Sequence, residues 1–512
     1  MLWVIPVLLG IVVRALPYLS TDFPLGDGGL FLSMARDVRA SGFALPELAT
    51  YNGLEIPFAY PPVGIYLLAA SEGLGLRGTD AMRIIPLLAS VATIPMVYLI
   101  GRELTRSNWM AAGTAAFFAA STGSFEWLVM GGGITRAPGF LVALVAVWLV
   151  IRAYRASGWW PSVLAGAVAG LTGLVHLQAA VFAAVSAVVL LPFLARLWGG
   201  ARRLLIVGAV AALVVSPWVA LVLARHGLDP FLAAAGSGGT PFVGVLNILS
   251  SRSSGGVVEV LGIATMAGLA ICAYRGFWLP VVWAFAIVIV DSRAGQPYLS
   301  LPAALAITFA LWDIGAVVSR AGSGAARSAA GVASSVSRPA VLLAALFLGA
   351  ASVDALAAQQ APDSPMRAIG SDARDAMAWV QANTPEESRF AVVSGRYWAV
   401  DAEAEWFPTL ADRQSVATVQ GTEWLDRDRF ATQVQRAGDL PVCVVTGDEA
   451  CVEQWFGDVG RVDYLFLVDS PPDAIGGVTC CHALVDLLGS VGTPTEVHAD
   501  GSVILVRLDP GS

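Results

Sequence analysis

A single carboxylate between glycines lies near the start of this 512-residue chain. Asp27 occurs in the stretch Gly26-Asp27-Gly28-Gly29, after one apolar segment and before an amphipathic one. A carboxylate placed there could take a proton from a hydroxyl group as a general base. It could equally cap the first turn of the helix that the following residues predict. The local sequence leaves both interpretations open.

A second group of candidate residues lies at 126–136, in the stretch EWLVMGGGITR. Three consecutive glycines allow a tight turn or a close approach of the backbone to a ligand. Glu126 and Arg136 flank them, and a guanidinium group can bind a carboxylate or a phosphate through two parallel hydrogen bonds. The alternative interpretation of Arg136 is a side chain that anchors the end of a membrane helix.

Three further side chains could contribute to the same chemistry. Arg293 follows Asp291 in the stretch DSRAGQP, where a local ion pair is the alternative to a functional role. His176 separates two apolar segments and could donate to a bound phosphate or hydrogen-bond a neighbouring helix. Glu55 belongs to the acidic stretch 20–81, the longest interruption between the early apolar segments.

The composition places most of the elements around these residues in a lipid bilayer. Hydrophobic residues make up 56% of the chain and charged residues 13%, with a mean hydropathy of +0.70; soluble proteins contain about 25% charged residues. Apolar runs of about 17–25 residues predict helices that cross a membrane. Eleven such runs occur, at roughly 1–19, 82–101, 108–125, 137–152, 159–176, 178–195, 204–224, 257–273, 277–291, 297–317 and 339–358.

Arginine placement orients these helices, because arginines in short loops favour the cytoplasmic side. Residues 61–75 form a short apolar run that begins with two prolines and contains Glu72. They therefore predict a helix that lies on the membrane or dips into it rather than crossing it. With that helix left out and the N-terminus in the cytoplasm, the cytoplasmic loops contain eleven arginines and one acid, Glu103. Residues 1–358 are therefore predicted to form a multi-pass domain of the plasma membrane, with all the candidate residues on the outer face.

Residues 359–512 differ sharply in charge from the rest of the chain. They contain 10 arginines and 24 acidic residues, a net charge of −14, whereas residues 1–358 have a net charge of +6. This change indicates a second domain in another solvent, and its acidity argues against nucleic-acid binding. A helix pattern and four short apolar runs predict an extracytoplasmic α/β domain, at 370–382 for the helix and at 389–394, 441–446, 463–468 and 502–508 for the strands.

Four of the five cysteines lie in this C-terminal domain. An oxidising compartment favours disulfides, and we expect them to join the segment of Cys443 and Cys451 to that of Cys480 and Cys481. A zinc site that includes His482 is the alternative. No CxxC pair occurs, and adjacent cysteines suit tetrahedral ligation poorly.

The order of these features resembles the GT-C superfamily of polytopic glycosyltransferases. The resemblance is carried by the acid before an interfacial helix, by Tyr60-Pro61-Pro62-x-x-x-Tyr66 and by Arg83-x-x-Pro86. The superfamily uses polyprenyl-phosphate sugars and includes protein mannosyltransferases, lipid A aminoarabinose transferases and the catalytic subunit of oligosaccharyltransferase. It implies that Asp27 is the catalytic acid of the first outer loop. We expect substrate to be bound by Arg136, Arg293, Glu126, Glu55, Tyr60 and His176.

The expected function is the transfer of a single sugar, with inversion, from a polyprenyl-phosphate donor to an extracytoplasmic glycolipid, cell-wall glycan or protein. Asp27 would take the proton of the acceptor hydroxyl, and arginines would stabilise the departing lipid phosphate. Around Asp27 the sequence is Gly26-Asp27-Gly28-Gly29 and not the Asp-Glu pair typical of mannosyltransferases. The second outer loop, residues 126–136, lacks the Asp-x-Asp of oligosaccharyltransferases, and the C-terminal domain lacks their WWD signature. These departures disfavour the transfer of a whole oligosaccharide to asparagine.

We expect no cofactor, because arginine can neutralise the leaving phosphate and the outer loops contain no Asp-x-Asp or histidine cluster to bind a divalent metal. Two other classes of protein stay open as alternatives. One is a transporter or flippase of lipid-linked sugars, and the other is a non-catalytic receptor that presents the C-terminal domain.

Overall fold

The computed structural model describes residues 2–236, 260–290, 295–323, 338–360, 364, 366–469, 478, 480–488 and 491–509. Up to residue 360, the helices within these ranges are α1 (Val4–Ser20), α2 (Gly29–Ala40), α3 (Pro62–Gly73), α4 (Gly78–Thr105), α5 (Asn108–Ala120), α6 (Glu126–Val129), α7 (Gly133–Arg155), α8 (Trp160–Val175), α9 (Leu177–Leu194), α10 (Leu197–His226), α11 (Asp229–Gly236), α12 (Val260–Tyr274), α13 (Trp278–Val290), α14 (Gly295–Ser323) and α15 (Arg338–Gln360). Two short strands, β1 (Leu48–Ala49) and β2 (Ile56–Pro57), pair antiparallel after α2.

Six helices in the described part of the chain are long and apolar enough to cross a membrane, namely α4, α7, α9, α10, α14 and α15. Helices α1, α8, α12 and α13 are apolar but shorter. Each of the eleven predicted runs overlaps one of these ten helices or α5. The run at 61–75 forms the 12-residue helix α3. Helix α7 packs against α4, α8 and α9 and so lies inside the bundle.

Arg14 is a fully buried charge in the middle of the first apolar helix. Its guanidinium donates to the carbonyl and hydroxyl oxygens of Ser90 at 2.6 and 2.9 Å, to the carbonyl of Phe118 at 3.1 Å and to the hydroxyl of Ser124 at 2.7 Å. The side chain therefore joins α1 to α4 and to the end of α5. Its hydrogen-bond acceptors are neutral oxygens, and these hydrogen bonds offset part of the free-energy cost of burying the charge.

The C-terminal part is a sheet covered by helices on both faces. Its elements are α16 (Ser371–Asn383), β3 (Arg389–Val393), α17 (Ala402–Leu410), β4 (Gln414–Ser415), α18 (Arg427–Thr446), α19 (Glu449–Val459), β5 (Tyr464–Val468), β6 (Thr493–Asp500) and β7 (Val503–Asp509). The strand order is β4-β3-β5-β7-β6, in which β4, β3 and β5 run parallel while β7 is antiparallel to β5 and β6.

Side chains that alternate along the strands give this sheet two hydrophobic faces. Phe390 and Val392 of β3 lie in one core with Trp406 of α17. Ala391 and Val393 lie in the other core, with α18 and α19. The sheet is therefore the middle of three layers.

The strand predicted at 441–446 is wrong, because these residues form the end of α18. Leu440, Cys443 and Val444 are buried, whereas Val442 and Val445 are more than half exposed. This spacing of buried residues is helical rather than alternating. The β-branched residues of PVCVVT imitate a strand in composition but not in periodicity. Strands β4 and β6 were not predicted.

The predicted disulfide pairing is also wrong. Cys443, in the last turn of α18, pairs with Cys451, in the first turn of α19, and their Cα atoms are 5.6 Å apart. Gly447 adopts a φ of +66° between the two helices and reverses the chain, which brings the two cysteines together. Cys480 pairs with its neighbour Cys481. Both pairs are local, so neither joins the two segments.

The helical layer of α16 and α17 lies directly on residues 20–81, the predicted first outer loop. Phe23 packs edge-to-face on Trp406, with ring centroids 5.1 Å apart. The side-chain amide of Asn52 exchanges two hydrogen bonds with the backbone of Ser415, at 2.9 and 2.7 Å. The apolar face of α2, the amphipathic segment that follows Asp27, is buried in this same hydrophobic cluster. The loop and the sheet domain thus share one core.

Candidate active site

Two glycine-rich turns position Asp27 by packing backbone against backbone. Gly28 adopts a φ of +133°, and a Cβ there would be 3.0 Å from backbone atoms of Gly131. A Cβ on Gly131 would overlap the carbonyl oxygen of Asp27. Only glycine fits these two positions. The GDGG and GGG stretches are therefore needed for the contact between the first outer loop and residues 126–136, the predicted second outer loop.

The carboxylate of Asp27 points to the start of α7. Its Oδ1 accepts the N–H of Gly132 at 2.7 Å, and its Oδ2 forms a short ion pair with Nη2 of Arg136. Nη1 of Arg136 lies 3.4 Å from Oδ1, so the guanidinium faces both oxygens. Gly132 is the N-cap residue of α7, where the partial positive charge of a helix favours an anion.

The alternative interpretation of Asp27, as the cap of the helix that follows it, does not hold in the structure. Helix α2 has Gly28 as its N-cap residue and no side-chain cap hydrogen bond. The positive φ of Gly28 turns the chain between Asp27 and α2, and the carboxylate contacts the terminus of α7 instead. Its side chain remains 21% exposed, which leaves it within reach of a substrate.

Arg136 is held in place by the second outer loop. Its Cζ atom lies 3.8 Å from the centroid of the Trp127 ring, a cation–π contact, and its Nη1 donates to the Trp127 carbonyl at 3.3 Å. Only 12% of the side chain is exposed. Arg136 is thus directed at Asp27, and not outward as the anchor of a helix end.

Glu405 brings a second carboxylate to this site from the C-terminal domain. It lies on α17 and is 5% exposed. Its Oε1 accepts the N–H of Gly28 at 2.6 Å, and its backbone carbonyl accepts the hydroxyl of Tyr51 at 2.6 Å. Burial, with the nearby charges of Asp27 and Glu423, raises the pKa of Glu405 well above its usual value.

Tyr60 lines the same region beside the start of α7. Its hydroxyl is 3.1 Å from the hydroxyl of Thr135, the residue before Arg136. Its ring packs edge-to-face on Phe31 and on Trp424, at centroid distances of 4.8 and 5.5 Å. Tyr60 therefore connects α2, α7 and the C-terminal domain next to Asp27.

The structure places the other predicted residues differently. Nδ1 of His176 accepts the N–H of Ala179 at 3.3 Å and so caps α9. It also lies 3.5 Å from the hydroxyl of Tyr298 on α14, which is the contact with a neighbouring helix in its alternative interpretation. Glu126 begins α6 and is half-buried. Glu55 is exposed on the first outer loop. Arg293 and its neighbour Asp291 lie outside the described residues.

Sequence reasoning missed two members of this site. Trp127 follows Glu126 directly and could have been found as an aromatic partner for Arg136. Glu405 could not, because it lies 377 residues from its hydrogen-bond partner Gly28. In the described ranges, no group of three or more histidine, cysteine, aspartate or glutamate side chains is placed to bind a metal ion.

Residues 59–220 match the family model described as dolichyl-phosphate-mannose-protein mannosyltransferase. No curated protein matches the chain.

Solved structures are similar over nearly the whole chain. The oligosaccharyltransferase of Archaeoglobus fulgidus, in its complex with Zn and sulfate, is 15% identical with a TM-score of 0.57, over 91% of this chain and 68% of that one. ArnT from Cupriavidus metallidurans in the apo state is 16% identical with a TM-score of 0.56, over 98% and 97% of the two chains; its structure with undecaprenyl phosphate has a TM-score of 0.53. The arabinofuranosyltransferase AftD from Mycobacteria is 16% identical with a TM-score of 0.54, over 100% of this chain and 39% of that one.

The family and the structures that match are glycosyltransferases of the GT-C type. They confirm the resemblance that the order of motifs indicates: the chain has the GT-C fold, with a C-terminal sheet domain.

Proposed function

We propose that this protein transfers a single sugar from a polyprenyl-phosphate donor to an extracytoplasmic acceptor, with inversion at the anomeric carbon. The observation that carries the proposal is the partly exposed carboxylate of Asp27, held against Arg136 at the N-terminus of α7. Undecaprenyl phosphate bound to ArnT, whose fold this chain shares, supports the class of donor. The acceptor is a glycolipid, a cell-wall glycan or a protein.

The reaction is a single displacement. The acceptor hydroxyl oxygen attacks the anomeric carbon from the face opposite the phosphate, and its proton passes to Asp27. The bond between the anomeric carbon and the phosphate oxygen breaks, and the electron pair leaves with the lipid phosphate. Arg136 compensates the carboxylate charge before the reaction and can turn one of its N–H groups to the leaving phosphate. We assign a second phosphate contact to Arg293.

The proposed arrangement has eleven spans, a cytoplasmic N-terminus and an extracytoplasmic C-terminal domain. It is supported by the overlap of each predicted run with one helix and by the cytoplasmic excess of arginine. Residues 1–358 then form the catalytic membrane domain, and 359–512 form the domain that covers its first outer loop. The reaction as written requires no cofactor.

The test is a transfer assay with the purified full-length protein and labelled polyprenyl-phosphate hexoses and pentoses. We expect Asp27→Asn to lower transfer by about 10²–10⁴-fold, because the amide cannot accept the proton. Asp80→Asn, which alters a surface ion pair with Arg77, is the control and should transfer like the wild type. The anomeric configuration of the product, read by NMR, tests inversion.

Two results would contradict the proposal. Full transfer by Asp27→Asn would reject Asp27 as the base. A wild-type protein that transfers no sugar from any of these donors would reject the function itself.

A further inference from the structure

Helix α17 of the C-terminal domain holds the backbone on both sides of the Gly28–Gly29 peptide. Glu405 accepts the N–H of Gly28 at 2.6 Å, and the hydroxyl of Thr409, one turn later, donates to the carbonyl of Gly29 at 2.9 Å. The same hydroxyl lies 3.1 Å from that of Ser33 on α2. The residue after Asp27 and the first turn of α2 are therefore attached to a different domain.

The start of α2 and helix α17 are in close contact. A Cβ on Gly29 would lie 2.7 Å from the carbonyl oxygen of Glu405, and the hydroxyl of Tyr51 donates a hydrogen bond to that same carbonyl. A rotation of the Gly28 backbone would break its hydrogen bond to Glu405. The direction of the Asp27 carboxylate therefore depends on where α17 lies.

We infer that Glu405 is a positioning residue, which fixes the Gly28 peptide from the C-terminal domain and thereby aims Asp27 at Arg136. The site is then complete only while the C-terminal domain is docked on the first outer loop. For its effect on sugar transfer, this inference rests on the proposed function.

The charges around Glu405 favour its neutral form. The titratable groups that face it are Asp27 from the loop, Arg136 from α7, Glu423 from the turn Thr422–Trp424 and Tyr51 from the first outer loop. If Glu405 were ionised, the guanidinium of Arg136 would face the negative charges of several carboxylates. Burial in this acidic surrounding raises the pKa of Glu405 and so favours the neutral carboxyl, whose carbonyl oxygen can still accept the Gly28 hydrogen bond while Arg136 pairs with Asp27.

Glutamine has the shape of neutral glutamic acid and keeps the carbonyl oxygen that accepts the Gly28 N–H. Alanine removes that acceptor. The comparison of Glu405→Gln with Glu405→Ala therefore separates the effect of the hydrogen bond from the effect of the charge. Glu403→Gln is the matched control, because Glu403 lies on the same helix and is equally buried, at 4% exposure, but pairs with Arg396.

The first measurement is hydrogen–deuterium exchange of the peptide that contains Gly28, in the full-length protein in detergent. We expect Glu405→Ala to speed exchange of the Gly28 amide by about tenfold or more, as the loss of one buried hydrogen bond implies. Glu405→Gln and Glu403→Gln should exchange like the wild type. Should the alanine variant not fold, Glu405→Asp, shorter by one methylene, gives the same comparison.

The second measurement is sugar transfer as a function of pH. We expect Glu405→Ala to lower kcat with little change in KM for the donor, and Glu405→Gln to restore kcat. The wild type should lose activity as pH rises through the raised pKa of Glu405, and the glutamine variant should not.

Unchanged exchange at Gly28 in Glu405→Ala would overturn the inference, and so would a glutamine variant as impaired as the alanine variant. If the wild type transfers no sugar, the proposed function fails. The exchange at Gly28 then still decides whether Glu405 positions the loop.

Discussion

Asp27 takes its charge partner from α7. Arg136 faces both carboxylate oxygens and also contacts the ring and carbonyl of Trp127. Lysine at this position would keep the charge but could not make the paired contact or lie flat on the ring. We expect Arg136→Lys to lower the rate of transfer by about 10²-fold, measured in the donor assay above.

Arg77→Lys is the control for that substitution. Arg77 pairs with Asp80 on the surface, and its side chain is 83% exposed, so its replacement should leave transfer unchanged. An Arg136→Lys protein with wild-type turnover would show that the paired contact has no part in the reaction.

Gly131 provides a steric test of the contact between the two glycine turns. A methyl group there would overlap the carbonyl of Asp27, so Gly131→Ala should separate the turns. We expect a loss of about 1–3 kcal/mol in stability and a loss of transfer, measured by thermal unfolding and by the donor assay. Gly158→Ala, where a Cβ meets no atom within 4 Å, should change neither; equal melting temperatures for both variants would contradict the contact.

At the scale of elements, the pairing of α2 with α17 can be fixed covalently. The hydroxyls of Ser33 and Thr409 are 3.1 Å apart, so a double variant, Ser33→Cys with Thr409→Cys, should form a disulfide. We expect the cross-linked protein to transfer sugar at the wild-type rate, because the docked arrangement is the active one. Cross-linking is read on a non-reducing gel.

Each single cysteine variant, treated with the same reductant, controls for the native disulfide between Cys443 and Cys451. Transfer that appears only after the cross-link is reduced would mean that α17 has to leave α2 during turnover.

Glu403 makes the stability of the C-terminal domain depend on pH. Burial raises its pKa to about 7, with a smaller rise from Asp401 and a partial lowering by Arg396. In the unfolded chain, Glu403 ionises near the ordinary glutamate pKa of about 4.3. The contribution of Glu403 to stability is therefore full below that pH and is lost as pH rises towards 7.

We expect the free energy of unfolding of this domain to be lower at pH 8 than at pH 4 by about 1–3 kcal/mol from this group. Glu403→Gln should remove that part of the difference, and Glu449→Gln, an exposed acid on α19, should not. The measurement is hydrogen exchange of the β3 and β5 amides. Equal pH dependence in the wild type and Glu403→Gln would contradict the assignment.

Elements with a clear local pattern were predictable from the sequence. Strands β3, β5 and β7 alternate or form short apolar runs, and α16 has a helical spacing that ends at Asn383 before Thr-Pro. The segment PVCVVT has the composition of a strand but the periodicity of a helix, and periodicity decides its structure. The pairing of Cys443 with Cys451 depends on the chain reversal at Gly447, so composition and compartment alone do not predict it.

At the scale of the whole molecule, the site is built from contacts between parts of the chain that are far apart. Asp27 could be singled out because glycines flank it and a helix follows. Its contact with Arg136 spans 109 residues, and the contact of Gly28 with Glu405 spans 377. No rule of sequence spacing relates positions so far apart. They meet because residues 20–81 and the sheet domain share one hydrophobic core, which is seen only in the structure.

Arg14 has a consequence for the order in which the protein is made. An arginine at the centre of an isolated helix costs about 2.5–3.5 kcal/mol on insertion into the bilayer. Its hydrogen-bond acceptors lie between Ser90 and Ser124, so none exists when α1 leaves the ribosome. We therefore expect the first helix to reach its final buried position only after α4 and α5 have been synthesised and pack against it.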